Sequence, residues 1–89
     1  MTTPLYEITI LLNPADSVAI ARQIIPAGTI LVDGSQSFPV NQEVPSGHKL
    51  ARRTIEAGQP VIRYGQVIGF ASQDIQPGDW VKIEKAEFK

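Results

Sequence analysis

The chain has 89 residues, an ordinary content of apolar side chains, a formal net charge of -1 and no cysteine. A chain this short builds one hydrophobic core, its weak negative charge disfavours nucleic acid and anionic membranes as partners, and the lack of cysteine excludes disulfides, thiolate metal ligands and a cysteine nucleophile. No segment resembles a signal peptide or reaches the ~20 apolar residues that span a bilayer. The sequence therefore predicts one soluble, cytoplasmic domain over residues 1–89.

Short groups of β-branched residues bounded by Gly, Pro, Asn or Asp are typical of β-strands. In chain order they predict strands at residues 6–12, 18–22, 29–32, 49–54, 61–64, 66–71 and 80–84. Residues 50–55 are also compatible with one helical turn, because so short an apolar run does not discriminate. Trp80 begins the last predicted strand, and we expect its indole to pack across a neighbour. The pattern predicts a mainly β domain, a small barrel or a clip-like fold.

The motif A-x-x-x-I-x-[AP]-G-x-x-[LV] occurs at residues 21–31, 51–61 and 71–81. Its copies are 30 and 20 residues apart, so it is a recurring turn and not a repeat of fixed period. The glycine permits a backbone with positive φ, after which the apolar residues resume a strand. We therefore predict tight turns between strands, with the motif isoleucines buried at equivalent places: Ile25, Ile55 and Ile75.

Residues 33–47 (DGSQSFPVNQEVPSG) form the longest segment without regular apolar spacing, and they contain two prolines. They predict a loop, and loops of this length are often functional or mobile. The segment leads directly into the residues that are the strongest candidates for chemistry.

Those candidates are few, because the chain has no GxGxxG, no P-loop and no carboxylate pair spaced for acid and base catalysis. His48 is the only imidazole. It follows Gly47, which allows a ligand to approach closely, and precedes Lys49, which can neutralise an anion. Tyr64 and Gly65 interrupt two apolar runs at a predicted hairpin or bulge, where the phenol can bind a ligand or cap the core. From the residues alone, structural roles for His48 and Tyr64 stay open.

A resemblance adds to this pattern. Residues 45–71 (PSGHKLARRTIEAGQPVIRYGQVIGFA) resemble the GHK…A…I..G..V..YG..IG.A signature of the SAF-type domain in altronate and galactarate dehydratases. Residues 13–29 are similar to the opening segment of that family, so the match covers about residues 13–81. The resemblance implies a single β-clip domain, a catalytic role for His48, and substrate contacts from the set Gly47, His48, Lys49, Tyr64 and Gly65.

The resemblance also implies a function and a partner. In this family the small domain is either fused to a large metal-dependent catalytic domain or is a separate small subunit, and the reaction removes water from a sugar acid. Sulfolactate sulfo-lyase small subunits are similar and eliminate sulfite from a related hydroxy acid. We therefore expect a hydroxy-acid lyase subunit that is inactive alone, with an acidic substrate and with a divalent metal, iron or similar, in a large partner subunit. A homo-oligomer stays open.

The last strand departs from the family pattern. Where the family commonly has V-H-x-H-N, this chain has W-V-K-I-E-K at residues 80–85. His48 is thereby left without a second imidazole, so we expect no metal site within this chain. The departure favours an alternative, a stand-alone module that binds a carbohydrate acid or a protein and catalyses nothing.

Overall fold

The computed structural model describes residues 2–82 and 85–88, which fold into short strands and one helical turn. Three sheets of three strands each have the orders β1-β4-β5, β2-β3-β6 and β7-β8-β9. This architecture confirms the predicted mainly β fold and is consistent with a small β-clip domain. Within the described ranges, no helix has the length and apolar character needed to span a membrane. The elements are β1 Thr2–Pro4, α1 Leu5–Ile8, β2 Thr9–Ile10, β3 Val18–Ala21, β4 Ile30–Asp33, β5 Gln36–Pro39, β6 Lys49–Ala51, β7 Pro60–Arg63, β8 Gln66–Ala71 and β9 Ala86–Phe88.

Residues 21–50 and 51–81 form two halves with the same backbone hydrogen-bond scheme. In each half a hairpin is followed by a segment that returns to bond with the start of that half. His48 of the first half is thereby equivalent to Asp79 of the second. The equivalent bonded pairs are Ile25–Val44 with Ile55–Ile75, Gly28–Val40 with Gly58–Ala71, and Ala21–His48 with Ala51–Asp79.

This scheme reveals a fourth copy of the turn motif, at residues 40–50, and corrects the prediction of a loop over residues 33–47. That segment contains all of β5, and Val40 and Val44 are 2% and 0% exposed. The sequence pattern missed this copy because Val40 and Val44 stand where the other copies have Ala and Ile, and because Ser46 precedes the glycine. The segment is therefore a structural counterpart of residues 63–78.

Each half has its own hydrophobic cluster, and the three motif isoleucines are buried as predicted. Trp80 of the second half packs against the first cluster, and Val18, which precedes both halves, packs in the second. The first cluster contains Leu5, Ala21, Ile25, Leu31, Phe38, Val40, Val44 and Leu50. The second contains Val18, Ala51, Ile55, Val61, Ala71, Ile75, Val81 and Ala86.

The two halves meet where their equivalent last segments lie side by side. Leu50 and Trp80 form an antiparallel bridge, and the Val81 N–H donates to the Lys49 carbonyl over 2.9 Å. This contact brings His48 and Lys49 next to residues 80–82, although about 30 residues separate them in the chain.

Two predicted strands differ from the structure. Residues 6–12 hold part of α1 and the short β2, because both the N–H and the hydroxyl of Thr9 bond to the Leu5 carbonyl and close one helical turn. At residues 80–84, Trp80 makes only an isolated bridge, and residues 83 and 84 lie outside the described residues. The predicted strands at 18–22, 29–32, 61–64 and 66–71 are confirmed with small shifts, while the one at 49–54 ends at Ala51.

Candidate functional site

An open cleft of about 580 Å³ lies where the two halves meet. This volume is within the range of roughly 300–1,000 Å³ that is typical of small-molecule sites. The cleft contains three of the predicted site residues and is completed by the last part of the chain. It is lined by Gly47, His48, Lys49, Trp80, Val81, Lys82 and Phe88.

His48 is exposed at this cleft and is held there by its backbone and by Trp80. Its carbonyl accepts the Ala21 N–H over 2.9 Å, which fixes the chain at this point. Its ring stands edge-to-face on the Trp80 indole, with 5.3 Å between the centroids. The imidazole makes no side-chain hydrogen bond to residues 2–82 or 85–88, so neither ring nitrogen is used by the described part of the fold.

The equivalent residue of the second half has a different role. The Asp79 carboxylate accepts the Gln76 N–H over 2.9 Å and the Asn41 Nδ2 over 2.7 Å, and so closes its own turn. Lys85 adds an ion pair at 3.4 Å. The Asp79 carboxylate therefore holds its own turn together, whereas the His48 side chain at the same place of the first half makes no hydrogen bond within the described residues.

Lys49 is partly buried and lies against an aromatic ring. Its Nζ is 4.6 Å from the centroid of Phe88, which is a cation–π distance. Removal of the ammonium from water lowers the pKa of Lys49 below its usual 10.5, and the nearby Arg63 guanidinium lowers it further. Lys49 is thus a cation held in an environment that favours an anionic ligand.

Lys82, Trp80 and Phe88 were not among the predicted site residues. The Lys82 Nζ lies 4.4 Å from the centroid of the Trp80 ring. The Trp80 Nε1 is buried and has no hydrogen-bond partner within the described part of the chain. The signal for Lys82 was its place after Val81, where the related signature has a histidine. The register of this segment against Lys49 is a long-range feature that the sequence does not state.

Tyr64 and Gly65 lie outside this cleft. They form the turn between β7 and β8, with φ of 58° and 69°, as a two-residue hairpin turn requires. The Gly65 N–H donates to the buried Asp16 carboxylate over 2.8 Å, and the Tyr64 hydroxyl accepts from Arg63 over 2.6 Å. The predicted hairpin is confirmed, while direct substrate contacts from these two residues stay a prediction.

The cleft does not fit a divalent metal ion. Its described side chains are one imidazole, two ammonium groups and apolar or aromatic groups, and cations repel a metal. Within residues 2–82 and 85–88, no group of three His, Cys, Asp or Glu side chains is placed to hold one. Anion binding by ammonium groups, beside an imidazole that can transfer a proton, is the chemistry that this donor set supports.

The family described as altronate/galactarate dehydratase SAF domain matches residues 7–89. The chain belongs to this family. The resemblance predicted from residues 13–81 is thereby confirmed, and the cleft carries the Gly47–Lys49 part of the signature on which that prediction rested.

Relatives of this SAF domain include much longer enzymes. It is 40% identical over 57 residues to galactarate dehydratase (L-threo-forming) of Escherichia coli strain K12, covering 64% of the chain but 10% of that enzyme. It is 31% identical over 76 residues to altronate dehydratase of Bacillus subtilis strain 168, covering 85% of the chain but 15% of that enzyme. The chain therefore spans only a small part of the dehydratases that it matches.

A third relative is closer in length. The SAF domain is 32% identical over 69 residues to (2R)-sulfolactate sulfo-lyase subunit alpha of Chromohalobacter salexigens, covering 78% of the chain and 73% of that subunit. Homologues of the domain thus occur both within long dehydratases and as most of a named subunit.

Proposed function

We propose that this SAF domain is the small subunit of a hydroxy-acid lyase, a sugar-acid dehydratase of the altronate or galactarate type. It contributes substrate-binding residues to an active site that a separate, large, metal-dependent subunit completes. The observation that carries the proposal is the cleft in which His48 and Lys49 lie together at the junction of the two halves.

Each of these two residues has a role in the proposal. The Lys49 ammonium binds the carboxylate of the hydroxy acid through a charge-assisted hydrogen bond. Dehydration removes a proton from one carbon and a hydroxyl from the next, so a group that transfers protons near neutral pH is needed beside the carboxylate. His48 is that group, because it is the only imidazole of the chain and its side chain is exposed at the cleft.

The large subunit supplies what this cleft does not. A divalent metal, iron or a similar ion, is assigned to that subunit, since the side chains around His48 are cationic and aromatic. A Lewis acid there would polarise the substrate oxygen atoms. The small chain by itself is therefore expected to be inactive.

Co-purification of the tagged chain from its native host, followed by mass spectrometry for a large dehydratase-like protein, tests the proposal. The complex should convert galactarate or altronate to its dehydrated 2-oxo acid, measured as product formed over time. His48→Gln, which keeps hydrogen bonding but cannot transfer a proton in the same way, should lower turnover at least about 100-fold while the complex still forms. Gln73→Ala, at an exposed bend, is the control and should leave turnover unchanged. Absence of both association and turnover in the wild type would refute the proposal.

A second candidate is the small subunit of a sulfo-lyase. It is supported by the 73% of the sulfolactate sulfo-lyase subunit alpha that the chain covers. Release of sulfite from (2R)-sulfolactate by the same complex, without dehydration of sugar acids, would favour it. Recovery of the chain alone, with anion binding but no partner, would instead favour a stand-alone binding module.

A further inference from the structure

Two lysines, and not one, present ammonium groups to the cleft. Lys49 belongs to the last segment of the first half, and Lys82 directly follows the last segment of the second. Each ammonium lies over a different aromatic ring, at 4.6 Å from the Phe88 centroid and at 4.4 Å from the Trp80 centroid. Within residues 2–82 and 85–88, no carboxylate lies within ion-pair distance of either ammonium.

The aromatic rings position these ammonium groups without neutralising them. A ring face attracts a cation through its quadrupole but carries no net charge. An ammonium group has three N–H donors, and a ring face does not replace a carboxylate as their acceptor. Neither ring therefore takes up the charge or the N–H donors of its lysine, and both lysines are partly shielded from water, which strengthens an ion pair.

The two ammonium groups belong to opposite sides of the antiparallel contact that joins the halves. The Val81 N–H bonds to the Lys49 carbonyl, and this register places Lys82 across from His48. Lys49 follows His48 directly in the chain and shares its side of the contact. The cleft thus has one positive centre beside the imidazole and a second positive centre across from it.

We propose that the cleft takes a ligand with two negatively charged ends, one held at Lys49 beside His48 and the other held at Lys82. The ligand class is a short dicarboxylate or a sulfo-carboxylate carrying a hydroxyl group next to the carboxylate at Lys49. A sugar acid with a single carboxylate leaves Lys82 unpaired and binds more weakly. This inference rests on the proposed function, because it takes the cleft to be the substrate site.

Binding to the full 89-residue chain tests this inference with three matched probes. Galactarate has two carboxylates, galactonate has one on the same carbon skeleton, and sulfolactate has a carboxylate and a sulfonate. Dissociation constants come from isothermal titration calorimetry. The location of binding comes from the fluorescence of Trp80, the only tryptophan, which contacts both His48 and Lys82.

Galactarate and sulfolactate should each bind about tenfold or more tightly than galactonate, since a second charge-assisted hydrogen bond is available to them. Lys82→Gln should weaken the two dianions to the level of galactonate and change galactonate by less than about twofold. Arg53→Gln removes the same charge from a different surface depression, beside Gly34, and should change none of the three. A difference between galactarate and sulfolactate identifies which kind of second anion the cleft prefers.

Three results would overturn the inference: galactonate binding within about twofold of both dianions, equal weakening of all three ligands by Lys82→Gln, or no binding of any probe at about 50 mM. These results are independent of the turnover experiment. If the complex dehydrates a monocarboxylate and the chain shows no preference for dianions, the inference fails and the proposed function stands. If the chain selects dianions but forms no active complex, the proposed function fails instead.

Discussion

The Lys49 ammonium lies over the Phe88 ring, partly removed from water and close to the Arg63 guanidinium. The partial burial and the Arg63 charge both lower the pKa of Lys49, so the folded chain holds this proton less tightly than the unfolded chain does. Where the folded chain still carries this charge, the charge lowers the free energy of unfolding.

Lys49→Met should make this cost visible. The methionine keeps an apolar stem against Phe88 without the charge, so the variant should melt higher than the wild type at about pH 7. The gain should be at most about 4 °C, because substitutions at such partly exposed sites change stability by about 0.5 kcal/mol or less and 1 kcal/mol shifts Tm by about 4–8 °C. The same variant should weaken binding of galactarate.

The pH dependence has a definite sign. Between the lowered pKa of Lys49 and its usual value of 10.5, the unfolded chain binds more protons than the folded one, so the wild type gains stability from this group as pH rises. The advantage of Lys49→Met should therefore shrink from about pH 7 to about pH 11. Lys85→Met, which removes an ion pair with Asp79, is the control and should not raise Tm. A constant or growing advantage with pH would contradict this account.

At the residue scale, the sequence predicted the part of the cleft that is contiguous in the chain. Gly47, His48 and Lys49 follow one another, and the structure places all three in the same lining. Lys82 and Phe88 reach the cleft only through pairing with distant strands, at a register that no local pattern encodes. Tyr64 was predicted as a substrate contact from the same signature. It lies in the hairpin turn between β7 and β8, where its hydroxyl accepts a hydrogen bond from Arg63.

At the element scale, the turn motif is one local structure in four different surroundings. Its glycine has a positive φ in every copy, 86° at Gly28, 83° at Gly47, 86° at Gly58 and 91° at Gly78. The space around it differs. A Cβ at Gly28, Gly47 or Gly58 would meet nothing within 4 Å, whereas a Cβ at Gly78 would overlap the Pro39 carbonyl oxygen.

Alanine at Gly78 and at Gly58 should therefore have different costs. Gly58→Ala should lower the free energy of unfolding by about 1–2 kcal/mol, the cost of a left-handed backbone at a residue with a side chain. Gly78→Ala should lower the free energy of unfolding by at least about 2 kcal/mol more, because the atom that its Cβ would overlap is the backbone carbonyl oxygen of Pro39 and the Phe38 side chain packs beside it. Urea denaturation measures both, and Gly28→Ala is a second control that should match Gly58→Ala. Equal losses at the two glycines would show that the chain relieves the overlap without strain.

The same motif explains where the prediction of elements failed. Strands with Val or Ile between Gly and Pro turns were predicted correctly, because their local composition agrees with their tertiary surroundings. The fourth copy, at residues 40–50, was taken for part of a loop because its valines and its serine fall outside the pattern of the other three. Residues 6–12 were predicted as a strand from their apolar content, but two bonds from Thr9 to the Leu5 carbonyl form a helical turn there.

At the scale of the whole molecule, the two halves repeat one hydrogen-bond scheme and share packing and backbone contacts. Trp80 of the second half packs against the first cluster, and Val18 of β3, which precedes both halves, packs in the second. The bridge from Leu50 to Trp80 joins the halves through backbone bonds, and β3 pairs with β6 where the first half continues into the second. The cleft lies on this junction, so its geometry depends on both clusters being folded.

The packing and backbone contacts shared by the two halves predict a single unfolding transition. Ile25→Val in the first cluster and Ile55→Val in the second should each cost about 1 kcal/mol and lower Tm by about 4–8 °C. Each should shift far-ultraviolet circular dichroism and Trp80 fluorescence together, although Trp80 packs against only the first cluster. Ile24→Val is the matched control, since Ile24 is 57% exposed beside the fully buried Ile25, and it should leave Tm unchanged. If Ile55→Val shifted the dichroism and not the fluorescence, the halves would be separate folding units, and the cleft could open without loss of either core.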